Sequence, residues 1–161
     1  MIDLEHLLTT SLDDDFDESA LPLRQLMTYY RCALKEIETK FRVLDEQFSM
    51  YYDRNPIENI ETRIKRTSSI YRKLKGRGLP LTFESMEKNI FDIAGIRIVS
   101  SFLDDIYMLE ELLLKQDDVR LIERKDYIAK PKPNGYRSLH LIVEIPIFLS
   151  NEKKWVKVEV Q

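Results

Sequence analysis

Residues 138–161 read Ser-Leu-His-Leu-Ile-Val-Glu-Ile-Pro-Ile-Phe-Leu-Ser-Asn-Glu-Lys-Lys-Trp-Val-Lys-Val-Glu-Val-Gln. Leu139, Leu141, Val143, Ile145 and Ile147 alternate with Ser138, His140, Ile142 and Glu144, the two-residue period of a half-buried strand. After a turn at 150–153 the alternation resumes, with Val156, Val158 and Val160 against Trp155, Lys157, Glu159 and Gln161. The two runs predict a hairpin whose aliphatic face lies under helices. Its other face carries Ser138, His140, Glu159 and Gln161 and is free to do chemistry.

Upstream, Leu26, Tyr30, Ala33, Ile37, Phe41, Leu44, Phe48 and Tyr52 recur every three or four residues, which predicts one long amphipathic helix. Pro22 suits its first turn, and Asn55-Pro56 ends it because the residue before proline is pushed out of the helical region. Between helix and hairpin the pattern gives a strand in 56–65 and a helix capped by Ser68 or Ser69 that runs to Lys75. A helix at 82–89, a strand at 96–99, a helix at 104–115 and a strand at 119–127 follow. Strands and helices intermix, so the expected fold is α+β with a mixed sheet and flanking helices.

The 161 residues, 43% of them hydrophobic, suit one compact domain. No run approaches the roughly 18 apolar residues of a membrane span, and the N-terminus lacks a signal-peptide layout, so the chain reads as cytoplasmic. With Cys32 as the single cysteine and only His6 and His140, disulfides and multi-cysteine zinc sites are excluded. The net charge of −3 is unevenly spread: residues 1–20 carry −7 and the remainder +4. Seven basic groups fall in 61–78 and five in 124–137, which points to compact polyanion sites rather than a nucleic-acid coat.

The second cluster contains Lys130-Pro-Lys-Pro-Asn-Gly-Tyr-Arg-Ser-Leu-His140. Prolines reduce the entropy lost on ordering it, Gly135 permits geometry other residues resist, and Lys132, Asn134 and Arg137 can donate to phosphate oxygens. Tyr136 offers a flat face for a base. In the first cluster, Arg63, Lys65, Ser69 and Lys73 supply guanidinium, ammonium and hydroxyl donors. Arg97, between Ile96 and Ile98, points away from them, and arginines can stack on a purine. Asp92 precedes that strand and Glu159 projects from the last one; on neighbouring strands the two carboxylates could share one Mg²⁺. Taken singly, each charge also fits a solvated face or a pairing with a nearby partner. The four glycines form no Walker, kinase or Rossmann loop.

Together, Arg63-Ile-Lys65 with Ser69, Asp92-Ile-Ala-Gly-Ile-Arg97, Lys125 through His140 and Glu159-Val-Gln161 resemble a RelA/SpoT-type alarmone synthetase, in order from about residue 55 to Gln161. The resemblance is to the small single-domain members. It implies a nucleotidyltransferase-like synthetase domain that moves the β,γ-pyrophosphate of ATP to the 3′-hydroxyl of GDP or GTP, yielding ppGpp or pppGpp and AMP. By that similarity Arg63 and Arg97 would hold adenine, while Lys65, Ser69 and Lys73 would approach the ATP phosphates. Asp92 and Glu159 would bind Mg²⁺, with Glu159 also activating the hydroxyl. Tyr136 would stack on guanine, and Lys132, Asn134, His140 and Gln161 would complete the acceptor site. The resemblance further implies a homotetramer built through helices.

The family pattern continues past Glu-x-Gln with an arginine and helices, so the expectation is an acidic segment at 1–20 and a synthetase domain at 21–161 lacking its C-terminal helices. Glu123-Arg-Lys-Asp126 matches neither charge pattern that distinguishes classes of long members. Two other classes stay open on the residues: a polymerase-like nucleotidyltransferase, and a nucleotide- or RNA-binding module without turnover. The first would show a Gly-Ser pair before Asp-x-Asp, and no Gly-Ser pair occurs. The second would need no metal-binding carboxylates.

Overall fold

The computed structural model describes residues 3–9, 18–51 and 53–161. Asp13 to Asp17, which carry most of the acidic segment, and Tyr52, the last member of the helical stripe, lie outside the described residues. Helix α1 (Leu4–Thr9) and a 3₁₀ turn (Glu18–Ala20) precede α2 (Leu21–Tyr51), and β1 (Asn59–Ile64), α3 (Thr67–Gly76) and α4 (Phe83–Asn89) follow. The chain then forms β2 (Ala94–Val99), α5 (Leu103–Leu114), β3 (Arg120–Asp126), β4 (Leu139–Phe148) and β5 (Lys153–Val160). The strands make one five-stranded sheet in the order β1-β2-β5-β4-β3. Only β2 and β5 run parallel. The fold is the expected α+β arrangement with a mixed sheet and a long N-terminal helix.

The hairpin forms as its alternation predicts, with Leu141 opposite Val160 and Val143 opposite Val158. Its aliphatic face is buried under α2, and Phe41 of α2 and Leu109 and Leu113 of α5 line a small pocket with Leu139, Leu141 and Val160. The 31 residues of α2 span about 46 Å, enough to cross the sheet, and their stripe from Leu23 to Phe48 is buried. Beyond α2, Arg54 donates to Asp105 through both terminal nitrogens at 2.5 and 2.9 Å, with its guanidinium 4.7 Å from the Phe102 ring centre. This pair ties the end of α2 to the first turn of α5.

One capping expectation fails. The N-cap of α3 is Arg66, with no side-chain cap bond, and Ser68 and Ser69 lie inside its first turn. Both serines fit the preference for helix starts, which is why composition misplaces the boundary by two or three residues. In α4 the cap is regular: Thr82 Oγ1 accepts from Ser85 N at 3.0 Å. Leu4, Leu7 and Leu8 of α1 are buried, and the helix packs on α3, where Tyr71 donates to Glu5 at 2.7 Å. Among the described residues no helix is long and apolar enough to cross a membrane.

Candidate active site

Strand register assembles the polar face. Arg63 lies opposite Gly95 and Glu61 opposite Arg97, while Gly95 in turn pairs with Glu159. On the other side of β5, Glu159 meets Ile142, which neighbours Glu123, and His140 neighbours Lys125. Side chains opposite one another share a face, so Arg63, Arg97, Glu159, Gln161 and His140 rise from one surface of the sheet.

Gly95 matters because of what crosses it. A Cβ built there would sit 3.3 Å from Arg63 Nε and 3.4 Å from its Cγ. Its absence lets Arg63 lie across β2 toward Glu159, whose Oε1 is 3.9 Å from the guanidinium. Arg97 forms no ion pair or hydrogen bond through its guanidinium among the described residues. It shares a cavity of about 180 Å³ with Arg63, Glu159 and Gln161.

Glu159 also borders a second cleft of about 310 Å³, together with Asp92, Lys73, His140 and Lys125. Asp92 stands in the link between α4 and β2 and is held by two ammonium groups: Lys65 donates to Oδ2 at 3.0 Å and Lys73 to Oδ1 at 2.9 Å. Burial pushes the Asp92 carboxyl up, but the bonds from Lys73 and Lys65 outweigh it and hold the group below its ordinary value. The plainer expectation for the two acids, pairing with nearby cations, is therefore met closely at Asp92 and loosely at Glu159. Ser69, one helical turn before Lys73, hydrogen-bonds with Arg72 at 3.2 Å.

The loop 132–136 is closed on itself. Gly135 N donates to Lys132 O at 2.8 Å, Lys132 N to Tyr136 O at 3.1 Å, and Tyr136 N to Asn134 Oδ1 at 3.1 Å. Gly135 adopts φ +83°, which favours glycine. The closure aims Tyr136 back at the sheet: Gln161 Nε2 donates to its hydroxyl, and the hydroxyl lies 2.8 Å from His140 Nε2. Burial lowers the His140 pKa; Glu159 opposes this, and Lys132, Lys125 and Arg97 add to it, so the balance favours the neutral ring. Lys132 Nζ sits 4.6 Å from the Tyr127 ring centre and 5.3 Å from that of Tyr136.

The site residues read from sequence thus fall into three neighbouring groups. Arg63 and Arg97 face one cavity; Lys65, Lys73 and Asp92 form a tight ion cluster; and Lys132, Asn134 and Tyr136 belong to a closed loop that meets His140 of β4 and Gln161 after β5, while Glu159 borders both cavities and Ser69, bonded to Arg72, joins none of the three. Lys125, Tyr127 and Glu61 have no role assigned from the sequence. Strand parity is the available signal: Glu61 is two residues from Arg63, and Lys125 becomes a neighbour of His140 once β3 pairs with β4. Among the described residues no cluster of three or more His, Cys, Asp or Glu is arranged to hold a metal. The donor chemistry at Asp92 and Glu159 nevertheless suits a hard divalent ion, since both are carboxylates bordering one cleft and their side chains are only 13% and 16% exposed.

Residues 62–161 match the family described as the region found in RelA / SpoT proteins. The chain belongs to that family. It is 44% identical over 132 residues to GTP pyrophosphokinase YwaC of Bacillus subtilis, covering 82% of this chain and 63% of that protein. To GTP pyrophosphokinase YjbM of the same organism it is 37% identical over 133 residues, covering 82% of this chain and 61% of that one. The chain therefore spans a little over three fifths of these two relatives. The crystal structure of small alarmone synthetase 1 from Bacillus subtilis bound to its product pppGpp superposes with a TM-score of 0.80 at 34% identity, over 87% of this chain and 71% of that one. A GTP pyrophosphokinase family protein from Streptococcus pneumoniae gives 0.81 at 33% identity, over 88% and 68%. This RelA/SpoT-family chain thus shares its fold with synthetases, including one solved with a product on it.

Proposed function

We propose that residues 21–161 form a synthetase domain that transfers the β,γ-pyrophosphate of ATP to the 3′-hydroxyl of GDP or GTP. The observation that carries this reading is the position of Glu159. It stands between a cavity walled by Arg63 and Arg97 and a cleft lined by Asp92, Lys73 and His140, where Lys65 also bonds Asp92. That layout suits two nucleotides meeting at one carboxylate.

In this reading the two guanidiniums hold the adenine, and Lys65, Lys73 and Ser69 take the donor phosphates. The ammonium groups already converge on Asp92, so the arriving phosphates find cations in place rather than having to gather them. The guanine base stacks on Tyr136, and Lys132, Asn134, His140 and Gln161 complete the acceptor side. Glu159 accepts the 3′-hydroxyl proton as the oxygen bonds to the β-phosphorus; the bond from that phosphorus to the α-phosphate oxygen breaks, and AMP leaves. Asp92 and Glu159 would hold Mg²⁺, which supplies charge neutralisation on the phosphates when bound. Positioning and charge carry most of such a transfer.

The domain reads as cytoplasmic and as part of a homotetramer; Val43, Met50 and Tyr51 leave apolar surface exposed on α2, consistent with helix-mediated assembly. Light scattering tests the assembly, with a monomer at micromolar concentration as the contrary result. The function is tested by incubating the protein with labelled ATP, Mg²⁺ and GDP or GTP. Labelled ppGpp or pppGpp with stoichiometric AMP is expected. Nucleotide binding without product would make the domain a binding module.

A further inference from the structure

Two purine nucleotides enter the proposed reaction, and neither stacking device distinguishes them, because guanidinium planes and phenol rings lie on any purine face. Keeping a guanine nucleotide out of the donor cavity requires a group that reads the edge of the base. The register of β1 and β2 puts one there. Glu61 is the direct cross-strand partner of Arg97 and stands two residues before Arg63, so all three side chains leave one face.

Glu61 lines the same cavity as Arg63 and Arg97. The other carboxylate and the amide of that cavity are engaged: Glu159 faces Arg63, and Gln161 donates to Tyr136. Glu61 Oε1 accepts one bond, from Asn59 Nδ2 at 3.0 Å, and among the described residues nothing pairs with Oε2. Although it stands opposite Arg97, the two form no ion pair. A cross-strand charge pair would be the ordinary reason for a glutamate here.

We propose that Glu61 selects the donor base, accepting a hydrogen bond from the 6-amino group of adenine and rejecting a 6-carbonyl. This rests on the reading of Arg63 and Arg97 as the donor cavity. An ionised carboxylate only accepts, adenine presents a donor at the 6-position, and guanine or hypoxanthine presents an acceptor there. At the 6-position of guanine or hypoxanthine the carboxylate meets a carbonyl with no proton between the two acceptors, and only a shift of the base toward its N1–H would pair it, so a base held in register is rejected. Arg63, lying over Gly95, fixes the plane of the base and therefore which edge meets β1.

The experiment compares ATP with ITP as donor to GDP, reading kcat/KM for each, alongside calorimetric affinity for each nucleotide without acceptor. The parent should favour ATP, and Glu61→Ala and Glu61→Gln should each lower the ATP-to-ITP ratio by about tenfold or more. The glutamine variant should gain ITP use, because its amide can donate to the carbonyl. A ratio unchanged in both variants with circular dichroism intact, or a parent indifferent to the 6-substituent, overturns the role of Glu61 and leaves the donor cavity standing. A parent that neither binds nor uses ATP overturns the donor-cavity reading and this proposal with it.

Discussion

The cleft that Glu159 shares with Asp92 and the cavity it shares with Arg63 and Arg97 are lined by the same kinds of residue, yet their charges are handled differently. At Asp92 the protein supplies both signs itself: two ammonium groups at 3.0 Å or less occupy both carboxylate oxygens. At Arg97 the guanidinium forms no ion pair or hydrogen bond among the described residues, and Arg63 reaches Glu159 only at 3.9 Å. Phosphates carry several charges and need cations held in advance, so a clustered, partly buried arrangement suits them. A base is uncharged and is gripped by flat surfaces, which lose their use if the guanidinium is locked to a carboxylate.

The sharpest way to break this comparison is at the shared residue. Glu159→Gln should lower turnover about 100-fold or more, because the proposed general base is removed, while the melting temperature moves by only a few degrees. Normal turnover would take Glu159 out of the chemistry, and a large melting shift would make it structural. Next in size is Tyr136→Ala, which should weaken the guanine nucleotide by roughly 1–3 kcal/mol and leave ATP nearly unchanged in calorimetric titration. Equal losses for both nucleotides would mean that Tyr136 only shapes its loop.

Asp92→Asn separates the preassembled cleft from the open cavity. With its carboxylate gone, Lys65 and Lys73 face each other uncompensated, and stability should fall by about 1–2 kcal/mol in urea titrations near neutral pH. The sign follows from the depressed pKa: the stabilisation is present above the ordinary 3.8 and is lost as pH falls through the folded value. Parent and variant should therefore converge in acid, and a constant difference down to low pH would contradict the ion cluster. Smallest is Arg97→Lys. Charge stays but the plane goes, so ATP affinity should drop by about 1 kcal/mol with GDP unaffected. A lysine variant that binds ATP like the parent would show that the cavity needs charge alone.

Much of the fold is legible because local periodicity reports which face of an element is buried. The alternation of β4 and β5 gives their boundaries to within one residue, and the stripe of α2 gives the helix, which ends at Tyr51, four residues before the expected stop at Asn55. The loop at 130–140 is legible from its prolines and Gly135, whose φ of +83° the closed turn requires. Less legible are residues whose neighbours come from other strands. Lys125 and Glu61 read as ordinary surface charges until β3 pairs with β4 and β1 with β2. The start of α3 is misplaced by composition because a serine suits both the cap and the first turn.

By itself the sequence determined most of the elements after residue 20, the aliphatic and polar sides of the hairpin strands, the stiff basic loop and the family motifs, since all of these follow from side-chain period and chemistry along a few consecutive residues; α1, inside the stretch read only as acidic, was not among them. Only the tertiary structure decided that β2 lies parallel beside β5, laying Gly95 against Glu159 and letting Arg63 cross over the glycine toward the carboxylate. Strand order is set by the total burial and hydrogen bonding of distant segments, which local periodicity does not encode. The same long-range pairing stands Glu61 opposite Arg97.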